Sequence, residues 1–343
     1  MIHARSRPRL RSCALLFAAL AHLAPFAFAQ DATVTSKAVK LSTAVGPAFA
    51  LGKAGERWAK LVADRSQGKL EVQLFAGATL AQRDPAREFL ALRDGAADLA
   101  VGSTLFWSMQ VSELALVGLP WLAPDDKTLA ALTGEAVAPL LFAAIERAGA
   151  VPLALAALGH RAIATSGSLP RSPADLVGMQ IRTASLPVML DMFAALGAKP
   201  RAMAFADVQG ALRAGTLDAQ EGPVATFAST RLDALGFRQV LLWGAVAEVA
   251  VFAANRAAWN GWSIDERALV QGAAREAARE LPEFARAESD AALAGLRQRG
   301  VTVARLTATG RAAFAAATRG VYEKWADVAG QELVRAAEAA IKE

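Results

Sequence analysis

Short runs of alternating apolar and polar residues follow one another along the first half of the chain, separated by longer helical patterns. Strands are predicted at 38–43, 70–75, 99–101 and 151–155, and helices at 48–66, from Asp84-Pro85 to Gly95, and from Asp125 or Asp126 to Arg147. Asp84 is a typical helix N-cap, and Pro85 is typical of the first helical position. This alternation predicts an α/β lobe with a mostly parallel sheet covered by helices.

A second series of alternating elements follows. Strands are predicted at 179–183, 217–221, 239–243, 249–252 and 301–306, and helices at 187–196, at 207–214, over 263–300 and at the C-terminal end. The long helical region opens with a capping box, in which Ser263 is followed three residues later by Glu266, and Pro282 is predicted to interrupt it.

The chain contains no hydrophilic linker between the two series, so two α/β lobes joined by crossing segments are expected. We predict lobe I at 30–158, completed by about 248–285, and lobe II at 159–247, with 286–343 packing against both lobes.

The first 29 residues have the pattern of a secretory signal peptide. Four arginines precede residue 12, an apolar run extends from Cys13 to Phe28, and the small-x-small sequence Ala27-Phe28-Ala29 closes it. The alternative is an uncleaved membrane anchor, but an apolar run of about sixteen residues is shorter than the roughly twenty that span a bilayer. Cleavage is predicted after Ala29, which implies export to the periplasm.

Removal of that segment changes the charge and the candidate chemistry. The full chain has a formal charge of +5, and without its first four arginines the charge is about +1. Because the excess charge is discarded, a nucleic-acid partner is not expected. Cys13 is removed too, and His160 is the one histidine left. These losses exclude thiol catalysis and cysteine-based zinc sites. No later segment has the pattern of a membrane span.

Common catalytic motifs are missing from the sequence. The stretch from Gly46 to Ala54 lies between a strand and a helix, but five residues instead of four separate its glycines, and Ala54 replaces the Ser or Thr of a phosphate-binding loop. Nucleophile-elbow, zinc-protease and dinucleotide motifs are also missing, and His160 has no nucleophile near it in sequence. The motifs therefore give no evidence for an enzyme, and neither a cofactor nor a metal is expected; an exported α/β enzyme acting on a carboxylate compound is kept as an alternative.

Arg182 is the strongest candidate for a binding residue. It lies at the end of the predicted 179–183 strand, and ligands of α/β sheets gather at the carboxyl ends of strands. A guanidinium group can hold a carboxylate through two parallel hydrogen bonds. The carboxylate could belong to a nearby Asp or Glu or to a ligand, and position alone leaves both open.

The segments around Arg182 form an ordered set of motifs at 175–182, 195–198, 203–205, 211–215 and 217–223. Their order and spacing resemble solute-binding proteins of tripartite ATP-independent periplasmic (TRAP) transporters, whose pattern includes D-L-x-G-x-K-I-R and D-G-Q-E-N-P. The resemblance covers nearly the whole chain after residue 29. It implies a two-lobed periplasmic binding protein fold, with a cleft between the lobes and a long helix bridging them.

The resemblance also implies ligand contacts. The arginine that matches Arg182 binds the solute carboxylate in that family. The other positions implied to lie near the ligand are a second arginine, an aromatic residue that closes on the ligand and polar or aromatic pocket residues: Arg161, Phe205, Ser103, Thr104, Ser185 and Phe49.

One position departs from the family pattern. Glu221-Gly222-Pro223 stands where the family usually has Glu-Asn-Pro, and glycine lacks the amide that commonly helps bind the carboxylate. We hypothesise that Gly222 shifts the preference from a small dicarboxylate towards a bulkier or more apolar monocarboxylate.

The resemblance implies the mechanism and the partners as well. The two lobes are expected to close over a small organic acid by hinge motion, and the closed form is expected to dock on the small and large membrane subunits of the transporter. The protein itself is not expected to be embedded in the membrane, and a monomer is expected rather than a dimer. A binding protein that serves a sensor is the second alternative.

Overall fold

Two β-sheets organise the part of the chain that the computed structural model describes, residues 36–203 and 205–342. The predicted signal peptide at 1–29 lies outside it. The strands are β1 (Lys37–Thr43), β2 (Leu70–Phe75), β3 (Leu99–Ser103), β4 (Ala150–His160), β5 (Ala162–Thr165), β6 (Gln180–Thr183), β7 (Lys199–Ala202), β8 (Ala219–Gly222), β9 (Gln239–Leu242), β10 (Ala247–Asn255) and β11 (Thr302–Arg305).

Sheet I has the order β2-β1-β3-β10-β4, and sheet II has the order β11-β9-β5-β8-β6-β7. In each described sheet one strand runs against the others: β10 in sheet I and β5 in sheet II. These are the strands through which the chain enters one sheet directly from the other. The prediction of two mostly parallel α/β sheets is therefore confirmed, and the boundaries at 158/159 and 247/248 stay predictions.

Helices cover both sheets. They are α1 (Ala50–Arg65), α2 (Glu88–Arg93), α3 (Thr104–Trp107), α4 (Asp126–Ala131), α5 (Ala138–Arg147), α6 (Pro187–Ala195), α7 (Phe205–Arg213), α8 (Val224–Ser229), α9 (Arg256–Asn260), α10 (Ile264–Gln298), α11 (Ala308–Ala317), α12 (Arg319–Ala329) and α13 (Gln331–Ala340). Short 3₁₀ segments lie at Thr79–Ala81, Pro85–Arg87, Ser112–Gly118, Pro173–Leu176 and Leu232–Leu235.

The helix predicted from Asp125 or Asp126 to Arg147 is two helices, α4 and α5. Asp125 caps α4 in a capping box with Thr128. After α4 the chain turns: the Thr133 hydroxyl donates to the Ala130 carbonyl at 2.9 Å, and the Gly134 amide donates to the Ala131 carbonyl. A hydroxyl that bonds the backbone locally competes with helix propagation, and α5 starts anew with a proline in its first turn.

The long helix α10 bridges the two sheets, as predicted. Its 35 residues span roughly 52 Å at 1.5 Å per residue. Val270 to Leu281 pack into the core between α10, α1 and sheet I, whereas Leu293 and Leu296 pack into the core of sheet II. Pro282 lies inside the helix and does not end it, although it removes one backbone donor.

The C-terminal helices contact both lobes. Phe314 and Val321 belong to the core beside sheet II, and Leu333 and Val334 belong to the core beside sheet I. Between them, the Trp325 indole Nε1 donates to a carboxylate oxygen of Asp191 on α6 at 2.7 Å. The lobes are thus joined by α11–α13 as well as by α10.

A buried carboxyl group lies in lobe I. Glu88, at the first position of α2, is 1% exposed, and its Oε1 accepts a hydrogen bond from the Ser42 hydroxyl at 2.9 Å. Burial raises the pKa of Glu88 to about 7, and the bond from Ser42 offsets part of this shift. Because the folded state holds this proton more tightly than the unfolded state, Glu88 stabilises the fold at low pH, and this contribution is lost as the pH rises towards 7.

We expect Glu88→Gln to become more stable relative to the wild type as the pH rises from 5 to 8. The glutamine cannot ionise, so the relative gain should be on the order of 2–3 kcal/mol. Urea unfolding of both proteins at the two pH values measures it. Glu323→Gln, at a side chain 61% exposed, serves as the control and should follow the wild type. Equal pH dependence in wild type and Glu88→Gln would contradict a neutral buried carboxyl.

Candidate functional site

The site is built where the chain passes between the sheets. The β4–β5 connection carries it from sheet I to sheet II at Arg161, and the β9–β10 connection brings it back. The Arg161 backbone amide donates to the Val246 carbonyl at 3.0 Å, so the two crossing segments are paired. Beside this point lie the carboxyl ends of β3 and β8, which is where ligands of α/β sheets gather.

Arg161 is buried between two carboxylates. Its Nε and Nη2 donate to the two oxygens of Glu221 on β8, the latter at 3.0 Å, and its Nη1 donates to Oε2 of Glu248 on β10 at 3.2 Å. Burial by itself would lower the pKa of Arg161, but the charges of Glu221 and Glu248 outweigh it and hold the pKa above its usual value. Arg161 therefore ties a sheet II carboxylate to a sheet I carboxylate.

Ser103 and Thr104 extend this network into lobe I. The Ser103 hydroxyl donates to Oε1 of Glu248 and accepts from the Leu105 amide at 3.3 Å, capping α3. The Thr104 hydroxyl accepts from the Val249 amide at 3.2 Å. Both side chains are buried and engaged in the protein's own hydrogen bonds. Their predicted role as pocket residues stays a prediction; in the structure Ser103 orients the Glu248 side chain and Thr104 holds the backbone of the next residue.

Arg182 lies on β6, one residue before its carboxyl end. Its side chain is 6% exposed, and its Nε and Nη2 donate to the Met203 carbonyl at 3.2 and 2.9 Å. Burial lowers the pKa of Arg182 to about 10; the charge of Glu221 opposes this shift and that of Arg161 adds to it. The guanidinium therefore stays charged at neutral pH although burial penalises the charge. A bound anion would relieve that penalty.

Strand β8 places two further residues beside Arg182. Gln220 is the register partner of Arg182, and Gly222 lies two residues further, on the same face of sheet II. A Cβ atom at Gly222 would lie 3.9 Å from Arg161 Nη2 and 4.0 Å from Gln220 Nε2. These are ordinary contacts, so the backbone does not require glycine here, and its hydrogen leaves space next to a guanidinium and an amide.

The remaining predicted residues are more dispersed. Ser185 is exposed in the turn between β6 and α6. Phe49 is half-buried at the N-cap of α1, where the Ala50 amide is satisfied by Glu288 of α10 at 3.1 Å. Phe205 begins α7, and its side chain lies outside the described part of the structure. For all three, a role in ligand binding stays a prediction.

The sequence analysis did not identify Glu221, Glu248 or Gln220 as residues of this site. Glu248 interrupts an otherwise apolar strand, and a single carboxylate in such a strand is a signal of a buried ion pair that could have been used. Gln220 carried no such signal, because a glutamine in a short strand is as compatible with an exposed position as with a buried one.

Metal binding and membrane insertion find no support in the described residues. Within 36–203 and 205–342, no three or more His, Cys, Asp and Glu side chains are grouped so that they could hold a metal ion. The His160 ring donates from Nε2 to the Ala123 carbonyl at 2.9 Å. No helix in the same ranges combines the length and the apolar character needed to cross a bilayer.

Comparison with known proteins gives a consistent result. A family model described as "Bacterial extracellular solute-binding protein, family 7" matches residues 41–327. An uncharacterized protein of Sinorhizobium fredii is 33% identical over 271 residues, which are 79% of this chain and 49% of that protein, so the chain spans about half of that relative. The C4-dicarboxylate-binding periplasmic protein DctP of Rhodobacter capsulatus is 27% identical over 307 residues, covering 89% of this chain and 91% of the relative.

A solved structure is similar over nearly its full length. The crystal structure of a TRAP periplasmic solute-binding protein from Ralstonia eutropha H16, with bound (S)-2-acetolactate, is 42% identical, with a TM-score of 0.84. The match covers 89% of this chain and 98% of that one. It confirms the predicted two-lobed fold of periplasmic binding proteins. The matched family model, which extends over most of the chain, and this structure lead to one conclusion: the chain belongs to the bacterial extracellular solute-binding protein family 7.

Proposed function

We propose that this protein is the extracytoplasmic solute-binding protein of a TRAP transporter and that it captures a small organic acid through Arg182. The observation that carries the proposal is a buried guanidinium at the carboxyl end of β6, charged at neutral pH in surroundings that penalise its charge. A ligand carboxylate is the anion that best fits its planar fork of donors.

The network around Arg161 supports a hinge mechanism. Glu221, Arg161 and Glu248 join the two sheets where the chain crosses between them, so the lobes can rotate about this point while it stays intact. Closure would bring lobe I groups over a ligand held by Arg182. The closed form would then dock on the membrane subunits and release the acid to them. No chemical step is needed, and we propose that the protein is not an enzyme.

Export belongs to the same proposal. The pattern of residues 1–29 supports a cleaved signal peptide and a periplasmic location, and the Rhodobacter capsulatus relative is a periplasmic protein. N-terminal sequencing of the exported protein tests this, with Gln30 expected as its first residue. An intact Met1 would contradict it.

A thermal-shift screen of organic acids tests the proposed function directly. The panel should contain dicarboxylates such as succinate, together with monocarboxylates that include 2-acetolactate, the ligand of the Ralstonia eutropha protein. Because a ligand that binds only the native state stabilises it by mass action, at least one acid should raise the Tm in proportion to its concentration. A panel without a single shift, followed by calorimetry without heat of binding, would refute the proposal.

We expect Gly222→Asn to move the preference towards dicarboxylates. The substitution restores the amide that the family usually has, and its Cβ atom would make only ordinary contacts of 3.5 Å or more. Affinity for branched monocarboxylates should fall about tenfold, because the added amide fills the space at Gly222. Isothermal calorimetry with one acid of each class measures this. Gly222→Ala, which adds only the Cβ, is the matched control and should change both affinities less; an unchanged preference in Gly222→Asn would contradict the hypothesis.

A further inference from the structure

Gln220 is a buried polar side chain whose amide group is unsatisfied among the residues that the structure describes. The residue is fully buried in β8, and neither its Oε1 nor its Nε2 has a hydrogen-bond partner within the described part of the chain. A buried amide without partners destabilises the folded state, and native proteins rarely keep one without a reason. The carboxylate and guanidinium groups of Arg161, Glu221 and Glu248, by contrast, satisfy one another.

The position of Gln220 indicates which part of a ligand its side-chain amide would contact. It is directly beside Arg182 in the parallel pairing of β6 and β8, so the two side chains leave neighbouring strands, roughly 4.8 Å apart, on the same face. Its Nε2 also borders the space left by Gly222, 4.0 Å from where a Cβ atom at that position would lie. A ligand whose carboxylate contacts Arg182 would present the substituent on its next carbon to this amide.

We propose that Gln220 is a specificity-determining residue that binds a neutral oxygen on the carbon next to the ligand carboxylate. The ligand class is then 2-hydroxy or 2-oxo monocarboxylates. This inference rests on the proposed binding of a carboxylate by Arg182 and adds the second point of recognition to it.

The chemistry of the amide supports this class. The Gln220 side chain offers two N–H donors and one carbonyl acceptor without a charge, so it matches a hydroxyl group or a keto oxygen. A second carboxylate would gain less from a neutral amide than from a cation, and the Arg161 guanidinium is already between two glutamates. An unsubstituted carbon would leave the buried amide unpaired in the complex too, and a binding site of this kind discriminates strongly against such a ligand.

The test compares Gln220→Met with the wild type, because methionine has nearly the same length and no hydrogen-bonding amide. The probes are 2-hydroxy-3-methylbutanoate, 2-oxo-3-methylbutanoate and 3-methylbutanoate, which share one carbon skeleton. Wild type should bind at least one oxygenated acid ten- to a hundredfold more tightly than 3-methylbutanoate, and the variant should bind all three within about threefold. The ligand-free variant should have an equal or higher Tm, since it no longer buries an unpaired amide.

The control is Gln180→Met on the adjacent strand β6, where the Gln180 side chain accepts from Arg201 at the surface; it should keep the wild-type preference. A Gln220→Met protein that keeps the preference, or that loses Tm without ligand, overturns the inference. So does a wild type that binds succinate but none of the three probes, although the proposed function then stands. A wild type that binds no carboxylate overturns both.

Discussion

Arg182→Ala is expected to reduce the affinity for the organic acid roughly 30- to 1000-fold. The substitution removes the proposed charge-assisted, bidentate contact with the ligand, worth about 2–4 kcal/mol. Arg182→Lys should retain part of the affinity, because lysine keeps the charge but not the planar fork. Calorimetry with an acid identified in the thermal-shift screen measures the loss.

The structure offers a matched control for this experiment. Arg201 on β7 is the register partner of Arg182 on the other side of β6, but it is exposed and contacts Gln180. Arg201→Ala should therefore change the affinity less than about twofold. Because Arg182 also donates to the Met203 carbonyl, the Tm of each variant is needed to separate lost binding from lost folding. Equal affinity in Arg182→Ala and wild type would refute the assignment.

Arg161→Met is expected to lower the free energy of unfolding by about 3–5 kcal/mol. It leaves Glu221 and Glu248 buried without their shared cation, and removal of one partner from a buried ion pair is strongly destabilising. Such a loss would show that the main role of Arg161 is structural, because it joins Glu221 of sheet II to Glu248 of sheet I. Urea unfolding at neutral pH gives the value, and ligand affinity should be measured on whatever fraction remains folded.

A rescue experiment distinguishes this effect from a simple packing defect. The triple variant Arg161→Met/Glu221→Gln/Glu248→Gln removes the uncompensated charges and should recover a large part of the lost stability. Arg57→Met is the control, because Arg57 also pairs with two glutamates, on α10, but its side chain is 31% exposed. That variant should lose far less stability. If Arg161→Met loses no more stability than Arg57→Met does, the ion pairs of Arg161 contribute little to the free energy of unfolding.

The elements with strong local patterns were predictable, and the weak ones were not. β1, β2 and the start of α10 carry alternation or a capping box and lie where the sequence predicts them. β7 was missed because it is a four-residue edge strand, mostly exposed and containing a proline. β5 was missed for the opposite reason: its four residues are all buried, and a short apolar run has no periodicity to identify it.

The candidate site divides in a similar way. The position of Arg182 at the end of a predicted strand was sufficient to single it out, and the structure places it there. The environment of Arg161 was not predictable, because its partners lie 60 and 87 residues further along the chain. The family resemblance implied that Arg161 lies near the ligand, and the structure shows two protein carboxylates on its guanidinium.

By itself, the sequence determined the order of the strands and helices that have strong local patterns, the division into two α/β halves and the identity of the strand that ends near Arg182. Each of these depends on patterns within ten or twenty residues, which reflect local backbone preferences and the need to bury one face. Only the tertiary structure decided that Glu221 and Glu248 meet on Arg161 and that Gln220 is buried beside Arg182. These contacts depend on which distant strands pair and in which register, and that choice is made by the packing of the whole domain.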